Sequence, residues 1–276
     1  MIKTVFTILL CVHLLGDFYF QTQRMADRKR EKFSWTICHS FAYAVCSLLL
    51  FFLFLPGMKL RYMLAFVLAH AFIDIVKYAA CRFLSGKRLF TDSAPNSRNV
   101  FLLDQAAHLL TILGIAFWMR TADCAELYRA GAGVFFDAFG LSETELLGWA
   151  AALLLIHKPA NILIANILSG YKPSDKKEPE GTDRNAGRMI GTLERIIMVI
   201  FISIGQYSAV GLVLTAKSIA RYDRISKDQA FAEYYLLGTL LSTICAVIAA
   251  LIFLSTLPGA QHGQNGKCIH MTVVYE

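Results

Sequence analysis

Residues 61–84 read RYMLAFVLAHAFIDIVKYAACRFL, an apolar run with His70 and Asp74 set inside it. Crossing a bilayer takes about 20 mostly apolar residues, and this run is long enough. Comparable stretches recur, giving seven candidate spans near residues 2–20, 36–55, 61–84, 98–118, 147–168, 189–214 and 234–254. Composition agrees: of 276 residues 56% are hydrophobic and 17% charged, where soluble domains carry about a quarter charged. Mean hydropathy is +0.51. The expected fold is all-α, a polytopic transmembrane helix bundle of about seven spans. That excludes a soluble enzyme, a secreted disulfide scaffold and a DNA-binding domain.

The first span resembles a signal peptide, but His13 and Asp17 interrupt it and no small-residue cleavage site follows. It is read as a retained helix. The seven cysteines form no CxxC pair and lie mostly in apolar runs, so they are read as small buried hydrophobes. Pro56-Gly57 is a turn between spans two and three. The expected organisation is a four-helix membrane unit over residues 1–118, an extracytoplasmic loop over 119–146 and C-terminal membrane helices over 147–257. Those helices enclose a polar loop at 171–188, and a disordered tail follows over 258–276.

The net charge of +7 comes from 27 basic and 20 acidic residues, and in a membrane protein their placement sets orientation. The loop after span one holds Arg24, Arg28, Lys29, Arg30 and Lys32; the loop after span three holds Arg82, Lys87, Arg88 and Arg98. The loop after span five holds Lys172, Lys176, Lys177, Arg184 and Arg188. The other side shows only Lys3, Lys59, Arg61, Arg120 and Arg129. The N-terminus is therefore expected outside, with the basic loops in the cytoplasm, where they can also attract anionic lipid headgroups. One segment conflicts: Lys217, Arg221, Arg224 and Lys227 follow span six, on the outer side of this scheme. Either residues 189–214 re-enter on one side, or Ala216–Glu233 is an amphipathic helix that tolerates charge.

The functional signal is a repeated pair. His13 and Asp17 in span one, His70 and Asp74 in span three, and Asp104 and His108 in span four each lie four residues apart, on one helix face. His39 joins them from span two. An ionisable group at the centre of a span costs about 2.5–3.5 kcal/mol on insertion scales, and such residues mark ion and proton sites. The orientation read from Lys and Arg alone brings all seven into one layer toward the cytoplasmic half. Imidazole and carboxylate suit a divalent metal, with Zn²⁺ or Mn²⁺ expected, so His13, Asp17, His39, His70, Asp74, Asp104 and His108 are the candidate ligands. A metal-free proton or ion pathway and interhelical polar glue are the competing readings. Elsewhere, His157-Lys158-Pro159 should kink span five, with Lys158 either partnering a carboxylate or snorkelling. Glu194-Arg195 is expected to be a headgroup-level ion pair, and Lys217, Arg221 and Glu233 to pair among themselves. His262, Cys268 and His270 match no zinc pattern and are read as unstructured tail.

The ordered set His13-Leu14-Leu15-Gly16-Asp17-Phe18 with Gln21-Thr22 and Met25-Ala26, His70-Ala71-Phe72-Ile73-Asp74 with Lys77, and Asp104-Gln105-Ala106-Ala107-His108 resembles the bacterial membrane family called domain of unknown function 3307. Lys158-Pro159-Ala160, Leu193-Glu194-Arg195, Ala216-Lys217-Ser218-Ile219-Ala220-Arg221 and Ala232-Glu233-Tyr234-Tyr235-Leu236-Leu237-Gly238-Thr239 look like its longer members. The resemblance implies a bacterial inner-membrane location and marks these positions as a signature; it implies no activity.

Three functions are compatible with the residues. The first is a metal-dependent membrane hydrolase acting on a lipid-linked or phosphate-bearing substrate, with whichever of Asp17, Asp74 or Asp104 is not a ligand as general base. No HExxH, nucleophile elbow or glycine-rich phosphate loop is present to support it. The second is a divalent-metal or proton transporter, and the third a membrane sensor or scaffold with a structural metal. The lipid bilayer is the expected partner and nucleic acid is not; no protein partner is indicated.

Overall fold

The computed structural model describes residues 2–55, 57–83, 94–121, 142–171 and 181–254. Pro56, Lys87, Arg88, the greater part of the expected outer loop, Lys172, Lys176, Lys177 and the tail with His262, Cys268 and His270 lie outside the described residues. Among those described, the chain is helical. It comprises α1 (Ile2–Leu14), α2 (Gln23–Glu31), α3 (Phe33–Phe54), α4 (Leu60–Phe83), α5 (Ala94–Thr121), α6 (Glu143–Ile156), α7 (Lys158–Leu168), α8 (Gly181–Ser203), α9 (Tyr207–Ile219), α10 (Tyr222–Lys227) and α11 (Gln229–Phe253).

Among the described residues, six helical stretches are long and apolar enough to cross a membrane: Ile2–Tyr19, Phe33–Phe52, Leu60–Phe83, Arg98–Met119, Thr144–Tyr171 and Gln229–Phe253. Their outer faces carry large apolar side chains, among them Leu49, Phe52, Phe72 and Leu110, which water would disfavour and hydrocarbon accepts. Inward faces follow the helical period. On α3 the buried series is Thr36, His39, Tyr43, Ser47 and Phe51, and on α4 it is Tyr62, Phe66, His70 and Asp74. One apolar core joins both halves of the chain, running from Leu9 and Val12 through Ile112 and Met119 to Ala152, Val199 and Ala249.

The expected seventh span is absent because residues 189–214 are divided. Gly205 adopts φ 74°, a left-handed conformation that glycine reaches at little cost, and it separates α8 from α9. Were the two helices collinear, Glu194 and Lys217 would stand about 34 Å apart at 1.5 Å per residue. Instead the Lys217 ammonium bonds the Glu194 carboxylate, and Tyr235 donates to the Lys217 carbonyl at 2.9 Å. The segment is a hairpin that returns to the end it started from. Of the two alternatives left open by the charge pattern, this is re-entry: the chain at Lys217 comes back to the level of Glu194 on α8.

The same region corrects two smaller expectations. Glu194 pairs with Lys217, and Glu233 accepts from Gln229 at 3.1 Å, so the expected Lys217–Arg221–Glu233 grouping is not formed. Arg195 is no headgroup ion pair but one of the most buried side chains, 1% exposed. Its Nε donates to the Ile156 carbonyl at 2.7 Å, Nη1 to Ser242 at 3.0 Å, and Nη2 to Asn161 at 2.7 Å and Thr192 at 3.2 Å. The reason lies in the fifth span. Pro159 cannot donate a backbone hydrogen bond, so the helix breaks at His157 and leaves carbonyls unmatched. Arg195 takes that of Ile156, and the Tyr19 hydroxyl donates to that of Leu154 at 3.0 Å. Among the cysteines Cys11 is buried, but Cys38 is exposed on the apolar outer surface, and no disulfide forms among the described residues.

Arg195→Met should therefore strip a donor from three helices at once. Hydrogen bonds from a charged donor are worth about 1.5–3 kcal/mol each, so the expected loss is about 3 kcal/mol or more. A thermal-shift measurement in detergent should show a midpoint roughly 6–12 °C lower, while Arg195→Lys, lacking the planar fork, should recover less than half.

Candidate metal centre

Span one does not end as a regular helix. Leu15–Tyr19 forms a π-helical turn, whose wider winding breaks the four-residue register assumed for His13 and Asp17 and turns them to different partners. Asp17 Oδ1 reaches His39 Nε2 at 3.0 Å, whereas His13 Nδ1 lies 3.3 Å from the Tyr43 hydroxyl and its ring stacks on His108. Gly16 within that turn lets Tyr43 approach: a Cβ there would stand 2.6 Å from Tyr43 Cδ2. The Tyr43 ring in turn lies flat on His70, with centroids 3.4 Å apart and planes 7° from parallel.

All seven candidate ligands are buried. Their donor atoms assemble into two groups that can hold a metal ion, Asp17–His39–His70–Asp74 and Asp74–Asp104–His108, with Asp74 common to both. In the first, His39 Nε2 lies 3.0 Å from Asp17 Oδ1, 3.3 Å from Asp74 Oδ2 and 3.3 Å from His70 Nε2, and His70 Nε2 lies 3.6 Å from Asp74 Oδ2. Ligands bound at about 2.0–2.1 Å around a tetrahedral ion stand about 3.3–3.4 Å apart. These four edges straddle that value. Proton chemistry reinforces the point: His39 Nε2 carries one proton at most, yet carboxylate oxygens of both Asp17 and Asp74 lie within reach of it. A cation at the centre would satisfy all four.

The second group has a different character. A carbonyl only accepts, so the 2.9 Å contact between His108 Nδ1 and the Asp104 carbonyl assigns the ring proton to Nδ1. His108 Nε2 then keeps its lone pair, and it is buried without a hydrogen-bond partner, as is Asp104 Oδ1. Backbone fixing of one imidazole nitrogen while the other stays basic is the usual setting of a metal-ligating histidine. His13 belongs to neither group; it stands beside them, against Tyr43, His108 and His70.

Two lysines complete the cluster. Lys29, from α2, lies 3.5 Å from Asp74 Oδ2 and 3.9 Å from Asp17 Oδ1, and donates to Gln21 at 2.9 Å. Lys77 bridges Asp74 Oδ1 at 3.2 Å and Asp104 Oδ2 at 2.7 Å. Gln105 donates to Asp17 Oδ2 at 3.4 Å and Asp104 Oδ2 at 3.3 Å. Lys77 was readable three residues beyond Asp74, on the same face; Lys29 was hidden among the loop charges. Lys158 does not reach a carboxylate among the described contacts: its ammonium lies over the Tyr19 ring, 5.7 Å from the centroid.

A cavity of about 1420 Å³ opens beside the cluster. Asp17, Lys29, Lys77, Asp104 and Gln105 form one wall. The C-terminal half supplies the facing wall with His157, Lys158, Asn161, Arg188 and Thr192, and Phe18, Phe101, Ile162 and Leu193 add apolar surface.

Residues 5–130 match the family described as Protein of unknown function (DUF3307). Over that stretch the chain is similar to this family. The matched residues contain all seven candidate ligands and both lysines, and stop short of the helices that build the facing wall. Comparison with curated proteins and with solved structures returned no match.

Gly16→Ala should displace Tyr43 and through it His70, because the intruding Cβ meets the Cδ2–Cε2 edge of a ring stacked on His70 and Phe66 rather than a flexible side-chain end. Metal affinity measured by titration of the purified protein should fall about 10-fold or more, the size seen when residues supporting metal ligands are lost. Gly114→Ala, which meets nothing within 4 Å, should leave it unchanged.

Proposed function

We propose that the protein is a membrane-embedded, metal-dependent hydrolase acting on an amphiphile with a phosphate-bearing headgroup. The observation that carries this reading is the pairing of two ligand groups through Asp74, one supplying four side chains and the other three, beside a large cavity. A four-ligand site is closed and suits a structural ion, whereas a three-ligand site leaves a position for water or substrate. Asp104 stands in the three-ligand group and also lines the cavity. Its Oδ1 has no hydrogen-bond partner, so of the three carboxylates it is the one placed to accept a proton from an attacking water. A divalent ion, Zn²⁺ or Mn²⁺ by donor type, would lower the pKa of such a water and polarise the bond attacked.

The cavity supports the substrate class. Lys29, Lys77, Arg82, Lys158 and Arg188 lie on its lining with Phe18, Phe101, Ile162 and Leu193, a combination that suits an anionic headgroup on an apolar tail. It lies at the end of the bundle where α2 and the returning hairpin collect their basic residues. By the positive-inside rule that end is cytoplasmic, so the N-terminus is extracytoplasmic and the substrate enters from the inner leaflet of a bacterial cytoplasmic membrane. The first four spans, residues 1–118, would be the chemical unit, and residues 147–257 the part that shapes the cavity.

A transporter needs polar groups continuing past the cluster. Beyond His39 and His70 stand the buried rings of Tyr43, Phe66 and Phe51, stacked or edge-packed in turn, and then buried Tyr62 set edge-on to Trp118, which favours a closed end. The saturated four-ligand group by itself also fits a sensor or scaffold with a structural metal, and the activity test separates the two.

Detergent-purified protein loaded with Zn²⁺ or Mn²⁺ should release inorganic phosphate from a lipid phosphate presented in mixed micelles. Asp104→Asn should lower the rate about 10²–10⁴-fold, the usual contribution of a positioned base, with the metal of the four-ligand group retained. Metal-loaded protein that releases no phosphate from any lipid phosphate tested would leave the structural-metal reading in its place.

A further inference from the structure

The three-ligand group already contains a cation: the ammonium of Lys77. Its Nζ lies 2.7 Å from Asp104 Oδ2 and 3.2 Å from Asp74 Oδ1, between two of the three residues whose donor atoms define the group. Lys29 is placed differently. Its contacts with Asp17 and Asp74 are longer, 3.9 and 3.5 Å, and it divides its hydrogen bonds with Gln21. Resting on the reading of the four-ligand group as a metal site, we propose that Lys77 is a tethered occupant of the second cation place, so that the folded protein binds one divalent ion and accepts a second only when this side chain is displaced.

Charge supports a competition rather than coexistence. Asp17, Asp74 and Asp104 supply three negative charges and Lys29 and Lys77 two positive. One divalent ion changes the balance from one negative to one positive. A second ion with Lys77 still in place would press a dication against an ammonium that shares its carboxylates, in a setting of weak screening. Geometry supports the release. The side chain of Lys77 is 23% exposed, on the cavity wall, whereas the carboxylate of Asp74 is 1% exposed. The ammonium can swing into the cavity, where an anionic headgroup would hold it, while the ligands stay put. The unpartnered Asp104 Oδ1 and His108 Nε2 are donor atoms that the ammonium leaves unused.

Metal stoichiometry tests this without any activity assay. Wild type, Lys77→Met, Lys77→Gln and Lys77→Arg would be loaded with excess Zn²⁺ or Mn²⁺ in detergent, freed of unbound metal by gel filtration, and measured by inductively coupled plasma mass spectrometry. The expected result is one equivalent in wild type and Lys77→Arg, and two in Lys77→Met or Lys77→Gln, judged on whichever elutes as folded protein. Adding Asp104→Asn should return the count to one, and Lys29→Met should leave it at one. Two equivalents in wild type, or one or none in the folded neutral Lys77 variants, would overturn the proposal. No metal in wild type would instead overturn the four-ligand reading on which it rests. If neither neutral variant folds, the proposal is decided by competition. Short-chain phosphatidic acid micelles should then draw a second equivalent into wild type, and failure to do so counts against it.

Discussion

Three carboxylates and four imidazoles share one buried layer of an apolar bundle, and every neighbouring element is arranged around that fact. Charges in such a place persist only when paired or bound to a metal. The pairing draws on residues far apart in sequence: Lys29 from α2 on Asp17 and Asp74, Lys77 from α4 across to Asp104 on α5, and Gln105 between two carboxylates. Two ammonium groups against three carboxylates leave a deficit of one positive charge. The buried Asp and His donor atoms are grouped closely enough that they could hold a metal ion, which would turn that balance to one positive.

A second buried cation plays the corresponding part in the other half of the chain. Arg195 has neutral acceptors as its hydrogen-bond partners, and their placement explains it. The break at His157 frees the Ile156 carbonyl, and the guanidinium joins that carbonyl to Asn161 and Ser242 across three helices. Tyr19 connects this arrangement to the cluster. Its hydroxyl meets the Leu154 carbonyl and His157 Nδ1, while it is itself the last residue of the π-helical turn that carries Asp17. The kinked span and the ligand-bearing span are thus held to each other, and the cavity is the space left between them.

Much of this was readable from residue types and spacing. Alternating apolar runs specify five of the six spans closely and the sixth from Tyr234 onward, and the His/Asp pairs of spans three and four point inward by helical period alone. What escaped depended on departures from ideal geometry or on long-range contact. The π-helical turn reassigns His13 by widening one turn, an effect that Leu15-Gly16-Asp17 does not announce. Gly205 turns a hydropathic seventh span into a hairpin, and an isolated glycine in an apolar run is an ambiguous signal. The misplaced charges at Lys217, Arg221 and Arg224 were in fact the trace of that reversal. Arg195 was misread because a cation beside an anion in sequence suggests a pair, although adjacent residues on a helix face different directions.

The family match ends at residue 130, whereas the cavity does not. Its facing wall, with His157, Lys158, Asn161, Arg188 and Thr192, comes from helices beyond the matched stretch. A chain that kept only the first four spans would retain the cluster and lose that wall, exposing Asp17 and Asp104 to lipid or water. The C-terminal helices are therefore what gives the charged layer a bounded approach.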